Sequence, residues 1–228
     1  MTLSRTPLRI RALSIFSFFP SDFPPLLIHF SFLRILGVVT YTSTHALDPS
    51  KPIDSSQPPI TVQVVSLNWK WLFIYPEQHI ASVNFLALPT DRSINFQITS
   101  DAPMNSFWIP QLSGQIYAMP GMSTPLHLNA TAPGEYRGSS ANLSGNGFSG
   151  MHFTTMGMSN SDFNGFITAA NSSPNVLNAA TYDQLAKDSE NNPVTLYSKT
   201  TADLYDRIIM KYTMNMGTPT PPLTPGAE

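Results

Sequence analysis

Apolar and polar positions change their spacing along this chain, and the changes divide it. In residues 60–75, Ile-Thr-Val-Gln-Val-Val-Ser-Leu-Asn-Trp-Lys-Trp-Leu-Phe-Ile-Tyr, apolar side chains alternate through Ile60, Val62 and Val64, then through Trp69, Trp71, Phe73 and Tyr75. A period of two predicts β-structure with these groups on one face. A turn at Pro76-Glu-Gln-His follows, and short strands are predicted over 82–88, 93–99, 105–110, 115–119, 123–130 and 152–156. Many short strands with a turn signal roughly every 8–12 residues indicate an all-β sandwich or barrel. After Met158 the spacing becomes helical. Ser161 is a plausible N-cap for Phe163, Phe166 and Ile167, and amphipathic helices are predicted over 161–170, 180–187 and 201–211.

Ahead of the β-region, residues 26–41 form an apolar run that carries His29 and Arg34, with Pro20, Pro24 and Pro25 breaking the sequence before it. A spanning helix needs about 20 mostly apolar residues, and a charge at its centre costs about 2.5–3.5 kcal/mol. This run therefore predicts membrane association through a partial transmembrane helix, strongest from Ile35 onward. Residues 45–59 hold Pro49, Pro52, Pro58 and Pro59 and read as a stiff, extended connector. The organisation expected is an N-terminal segment 1–48 with a partial transmembrane helix at about 26–45, a proline-rich linker 49–59, a β-domain 60–158, a helical extension 159–213 and a disordered tail 214–228.

Residues 136–153 interrupt the β-pattern with a loop rich in Gly, Ser and Asn that Met151 and Phe153 close. Such a composition builds no core of its own, so flanking strands must hold its shape. A loop of this length in a compact domain is usually either a site or a disordered patch.

Composition narrows the chemistry. Lys and Arg total 12 against 14 Asp and Glu, with no long run of either sign, so no basic face for nucleic acid is expected. Charged residues are only 11% of the chain, which fits either a surface that meets other protein or a membrane, or one made of uncharged Ser, Thr and Asn. There is no cysteine. Disulfides, thiolate catalysis, Cys-ligated zinc and iron–sulfur clusters are excluded together. The five histidines, His29, His45, His79, His127 and His152, have no metal-ligand spacing and read as structural or surface residues. No nucleophile elbow and no phosphate-cradling glycine loop is present. Trp69-Lys70-Trp71 is the strongest aromatic feature. Strand spacing puts both indoles on one face, as a partner-facing patch or as a buried β-core, and residue type favours the core. Met119, Met122, Met151, Met156 and Met158 gather near the loop, but thioethers ligate copper weakly without His and Cys beside them.

The stretch Val64-Val-Ser-Leu-Asn-Trp-Lys-Trp-Leu-Phe-Ile-Tyr-Pro-Glu77 resembles subunit II of the haem–copper respiratory oxidases, and the resemblance is closest to the cytochrome o-type ubiquinol oxidases. Met104-Asn-Ser-Phe-Trp-Ile-Pro110, Gln115-Ile-Tyr-Ala-Met-Pro-Gly-Met122, Ser144-Gly-Asn-Gly-Phe-Ser-Gly-Met-His-Phe153 and Thr44-His-Ala-Leu-Asp-Pro-Ser-Lys-Pro52 are similar to the same family. The resemblance implies a cupredoxin-like Greek-key β-sandwich on the periplasmic side of a bacterial inner membrane. Cytochrome c-using relatives carry a binuclear copper centre there, held by a His and by C-x-E-x-C-x-x-x-H-x-x-M. By the resemblance those positions fall here on Asn105, Ser140, Asn142, Ser144 and Phe148, and only Met151 is retained.

This implies a non-catalytic subunit II without copper or other cofactor, with haem and copper in subunit I. It also implies ubiquinol used by the complex and not bound here, and subunit I and other oxidase subunits as partners. Residues 1–34 do not resemble the family's signal and first helix, as a truncated, frame-shifted or mis-started gene would give. The other readings are a cytochrome c-oxidising subunit with an altered copper site built from methionines and His152, and a stand-alone periplasmic binding module.

Overall fold

The computed structural model describes residues 23–214 apart from 54, 56 and 91. The first part of the N-terminal segment and nearly all of the expected tail lie outside the described residues. The chain divides into two units, Met1–Asp48 and Pro49–Glu228.

The described residues of the first unit form one helix, α1 (Phe23–Ala46). Its prolines do not break it, because Pro24 and Pro25 occupy the first turn, where a missing N–H leaves no helical bond unmade. The helix therefore runs through His29 and Arg34 instead of strengthening only after Ile35. Leu26–Ala46 is long and apolar enough, by length and composition, to cross a membrane. Its Leu, Ile, Val and Phe side chains lie exposed along its length.

The second unit is an all-β sandwich of two sheets with short helices at its end. Its strands are β1 (Ile60–Leu67), β2 (Lys70–Tyr75), β3 (Ile80–Val83), β4 (Phe85–Pro89), β5 (Ser93–Ser100), β6 (Asn105–Trp108), β7 (Ile116–Ala118), β8 (Thr124–Asn129), β9 (Gly134–Ser140), β10 (His152–Met158) and β11 (Thr195–Tyr197). One sheet has the order β11-β3-β2-β1-β5-β8 and the other β4-β10-β9-β6-β7. Within these mostly antiparallel sheets, β1 runs parallel to β5 and β10 parallel to β4. Among its described residues the connector 49–59 has no regular element, and it is tied to the sandwich: His127 N–H donates to Pro49 O at 2.9 Å, and Arg92 donates to Pro58 O.

Two predicted runs are broken in the structure, each at a residue with positive φ. The run 60–75 folds into a hairpin whose two-residue turn is Asn68-Trp69, with Trp69 at φ 62°. The expectation that Trp69 and Trp71 share a strand face is thus corrected: Trp71 is in β2 and Trp69 is not in a strand. The predicted strand 82–88 is likewise two strands, split at Asn84 with φ 54°, and its halves belong to different sheets. Asn tolerates this conformation better than most residues. Its side chain also accepts from Trp71 N–H at 2.9 Å, which holds the crossing in place.

The inner faces enclose Val62, Val64, Trp71, Phe73, Tyr75, Phe96, Phe107 and Phe153. Phe107 is at the centre, stacked on Phe153 at 5.3 Å between centroids and set edge-on to Trp71 at 5.4 Å. The outer face of the larger sheet is buried as well. Val65, Leu67, Leu72, Ile74, Ala81 and Val83 pack against Leu177, Tyr182, Tyr197, Leu204, Tyr205 and Ile208 of the C-terminal extension. Burial on both faces explains why the run 60–75 is nearly continuous in apolar residues. The extension comprises α2 (Asn160–Asn171), α3 (Ala179–Leu185), β11 and α4 (Leu204–Thr213). It is not purely helical, since β11 pairs antiparallel with β3 and completes the larger sheet.

Candidate functional site

The expected loop 136–153 is shorter than its composition suggests, because β9 continues to Ser140 and β10 begins at His152. Residues 141–151 remain, with a short 3-10 turn at Asn146–Gly150. Pairing of Phe107 with Ser140 and of His152 with Ser139 sets β6, β9 and β10 side by side. Side chains at the start of β6, the end of β9 and the loop therefore converge.

Asn105 opens β6 and is 1% exposed. Its Oδ1 accepts from Ser106 N–H at 2.8 Å, which directs the amide Nδ2 toward the loop. Nδ2 donates to Ser144 Oγ at 3.0 Å and lies 3.2 Å from Met151 Sδ. Ser144 Oγ is 4.0 Å from the same sulfur. Ser140 N–H donates to Met151 O at 3.1 Å, while the Ser140 hydroxyl is buried with no hydrogen-bond partner among the described residues. Asn142 turns away and donates to Met104 O at 3.1 Å. Phe148 is half-buried in the 3-10 turn, where its backbone accepts from Met151 N–H at 3.0 Å. Of the six positions singled out, the structure brings Asn105, Ser140, Ser144 and Met151 together. It spends Asn142 on the neighbouring backbone and Phe148 on the turn.

The methionines do not converge. Met151 directly precedes β10 and Met158 ends it, about 20 Å away at the rise of a strand. Met122 is 52% exposed, and Met158 packs against the core. His152 is exposed. Among the described residues, no three His, Cys, Asp or Glu side chains are grouped so as to hold a metal ion.

Two supports of the site, Trp69 and Lys70, and one polar cluster at Asp101 were not legible as such. Trp69, placed by its turn, donates from Nε1 to Ser144 O at 3.1 Å. Its ring lies against Gly147, where an added Cβ would be 2.5 Å from Trp69 Cδ2 and 2.7 Å from Glu190 Cγ. Gly147→Ala is therefore expected to cost roughly 1–3 kcal/mol by overpacking. Urea unfolding followed by tryptophan fluorescence measures it, and an unchanged midpoint would show that the loop is not seated on Trp69.

Lys70 is fully buried. Its ammonium donates to Lys187 O at 2.8 Å, Ser189 Oγ at 2.6 Å and Asn68 O at 3.3 Å. Desolvation lowers its pKa, and the Asp188 carboxylate opposes that shift. Asp101, just beyond β5, accepts from Tyr182 Oη at 2.7 Å, Tyr212 Oη at 2.6 Å and Lys211 Nζ at 2.6 Å. A lone charge between predicted strands carries no such signal in the sequence, because its three donors come from the far end of the chain.

The family described as COX Aromatic Rich Motif matches residues 172–216, the stretch that supplies Tyr182, Tyr197, Tyr205 and Tyr212. The cytochrome bo(3) ubiquinol oxidase subunit 2 of Pseudomonas putida is 54% identical over 185 residues, covering 81% of this chain and 59% of that protein. Its counterpart in Pseudomonas aeruginosa is 52% identical over 180 residues, 79% of this chain and 54% of that one. The ubiquinol oxidase subunit 2 of Acetobacter aceti is 48% identical over 186 residues, 81% and 60% respectively. Among solved structures, the periplasmic domain of subunit II of a Bradyrhizobium japonicum cytochrome oxidase has a TM-score of 0.47 at 19% identity, covering 51% of this chain and 96% of that one. Over about four-fifths of its length the chain is thus similar to subunit 2 of the bo-type ubiquinol oxidases, and it spans about three-fifths of the length of the curated relatives it matches.

Proposed function

We propose that this chain is a copper-free subunit II of a proton-pumping, ubiquinol-oxidising haem–copper oxidase. The observation that carries the reading is the donor set at the converged positions: an amide, two hydroxyls and a thioether at Asn105, Ser140, Ser144 and Met151. A binuclear copper centre needs bridging thiolates and imidazoles, and neither a hydroxyl nor an amide replaces them. The residues do not fit the group, and Asn105 Nδ2 already bonds to the hydroxyl and the sulfur that face it. On this reading electrons pass from ubiquinol to oxygen within subunit I, which holds the haem and copper, and this subunit carries no active site.

The remaining role is structural. The sandwich docks on the periplasmic face of subunit I at a bacterial inner membrane, with α1 anchoring it there. Two features support docking at the loop end of the smaller sheet. Residues 102–126 and 138–161 contain no Asp, Glu, Lys or Arg, and Met104, Trp108, Tyr117, Met122 and Leu143 are exposed. An apolar, uncharged surface is what a stable subunit interface removes from water.

Metal analysis of the purified chain tests the reading, together with its visible spectrum. Copper well below one equivalent is expected, and stoichiometric copper with a purple colour would overturn it. Co-purification with a haem-containing integral subunit is the matching test of the partner.

A further inference from the structure

The loop 141–151 has little to hold it from within. Apart from Leu143, Phe148 and Met151 its side chains are small or polar, and its ties to β6 and the site are the Asn105 amide, the contacts to Met151, Ala141 N–H to Ser106 O and Asn142 Nδ2 to Met104 O. Outside the site it is gripped. Trp69 lies against Gly145 and Gly147, and the stem of Glu190 also closes on Gly147. Asn191, itself at φ 51°, approaches Gly150 so closely that a Cβ there would be 2.8 Å from its Oδ1.

Glu190 and Asn191 are in turn fixed by turns of the sandwich. Lys70 binds Lys187 O and Ser189 Oγ, Asn68 Nδ2 donates to Asp188 Oδ1, and Asn84 Nδ2 donates to Asn192 O at 2.9 Å. Ser189 and Asn192 close the segment on itself, with Asn192 Nδ2 donating to Ser189 O at 2.9 Å.

We propose that residues 187–192 of the aromatic-rich extension serve as the clamp of this loop, fixing from outside a shape that a metal ion fixes from inside in a metal-holding loop. This gives the extension a function: it keeps the docking end of the sandwich rigid. The inference rests on the copper-free reading. It requires only that Lys70, Asn68 and Asn84 hold 187–192, and that 187–192 hold the glycines.

The test is hydrogen exchange of the loop amides 142–150 in the full chain in detergent, for the wild type, for Lys70→Met and for the double variant Ser189→Ala/Asn192→Ala. The double variant leaves Lys70 in place and alters only the extension, so it carries the test if Lys70→Met does not fold. Loop exchange about tenfold or more faster, with β1 and β5 amides unchanged, is the expected result. Unchanged loop exchange in the double variant would overturn the clamp. So would a wild-type loop that is loosened to the same degree by a copper chelator alone, since a metal would then be the pin. Copper content measured on the same samples separates the two ideas. A copper-bearing chain whose loop still depends on 187–192 refutes the copper-free reading and leaves the clamp standing.

Discussion

Phe107→Ala is expected to lower the unfolding free energy by about 3–5 kcal/mol, the range for emptying a buried aromatic site. Phe107 is 1% exposed and has ring contacts with Trp71, Phe73, Phe96 and Phe153 at centroid distances of 5.4, 6.4, 5.5 and 5.3 Å. These rings come from both sheets, so none moves into the space without pulling its strand from the sandwich. The loss corresponds to a fall in Tm of about 6–20 °C for a domain of this size, read by thermal unfolding of the full chain. Because Phe107 is two residues from Asn105, the same variant is expected to loosen the loop. A shift under about 2 °C would mean that the core closes around the gap and that the central stack is not what holds the sheets together.

Asp101→Ala is expected to cost about 2–4 kcal/mol, most of it from the buried Tyr182 hydroxyl left without an acceptor. Lys211→Met is the control. Its side chain is 57% exposed while that of Asp101 is buried and keeps two tyrosine hydroxyls as donors, so losing this ion pair is expected to cost less than Asp101→Ala, about 1–2 kcal/mol.

The pH profile separates the two contributions further. Burial raises the Tyr182 pKa, the Asp101 carboxylate raises it again, and burial pushes Tyr205 up to about 12. Tyr75 and Tyr212 are also raised, chiefly by desolvation. Below the ordinary value of 10.0 these phenols are protonated in both states and add no pH dependence. Above it the unfolded chain releases protons that the folded chain keeps, so stability falls as pH rises through 10 and toward about 12. The fall is expected to be shallower in Asp101→Ala. Urea midpoints measured from pH 8 upward give the slope, and identical slopes would show that Asp101 does not act on Tyr182.

Much of the fold was legible because period and punctuation are local. The alternation in 93–99 and 123–130, the helical spacing after Ser161 and the turn residues between them gave strands and helices near the places observed. Where the reading failed, a long-range contact decided. Trp69 and Asn84 interrupt apolar alternation with positive φ, and nothing beside them in sequence forces that. Trp69 has its loop carbonyl 75 residues away, and the Asn84 amide has a carbonyl 108 residues away. The loop was overdrawn for a related reason: Gly138, Ser139 and Ser140 have loop composition, yet β10 and β6 supply ladder partners for them.

By itself the sequence determined that the chain holds no thiolate and that its β-region is a short-stranded sandwich or barrel, and the resemblance grouped positions 105, 140, 142, 144, 148 and 151 in one site. Each of these depends on residue type or on periods of a few residues. Only the tertiary structure decided that the Asn105 amide ties Ser144 to Met151, that Lys70 is buried against the backbone of 187–189, and that Asp101 gathers Tyr182, Tyr212 and Lys211. A polar side chain inside a sandwich is stable only with its partners in place, and those partners are assigned by how strands distant in sequence stack, which local pattern does not encode.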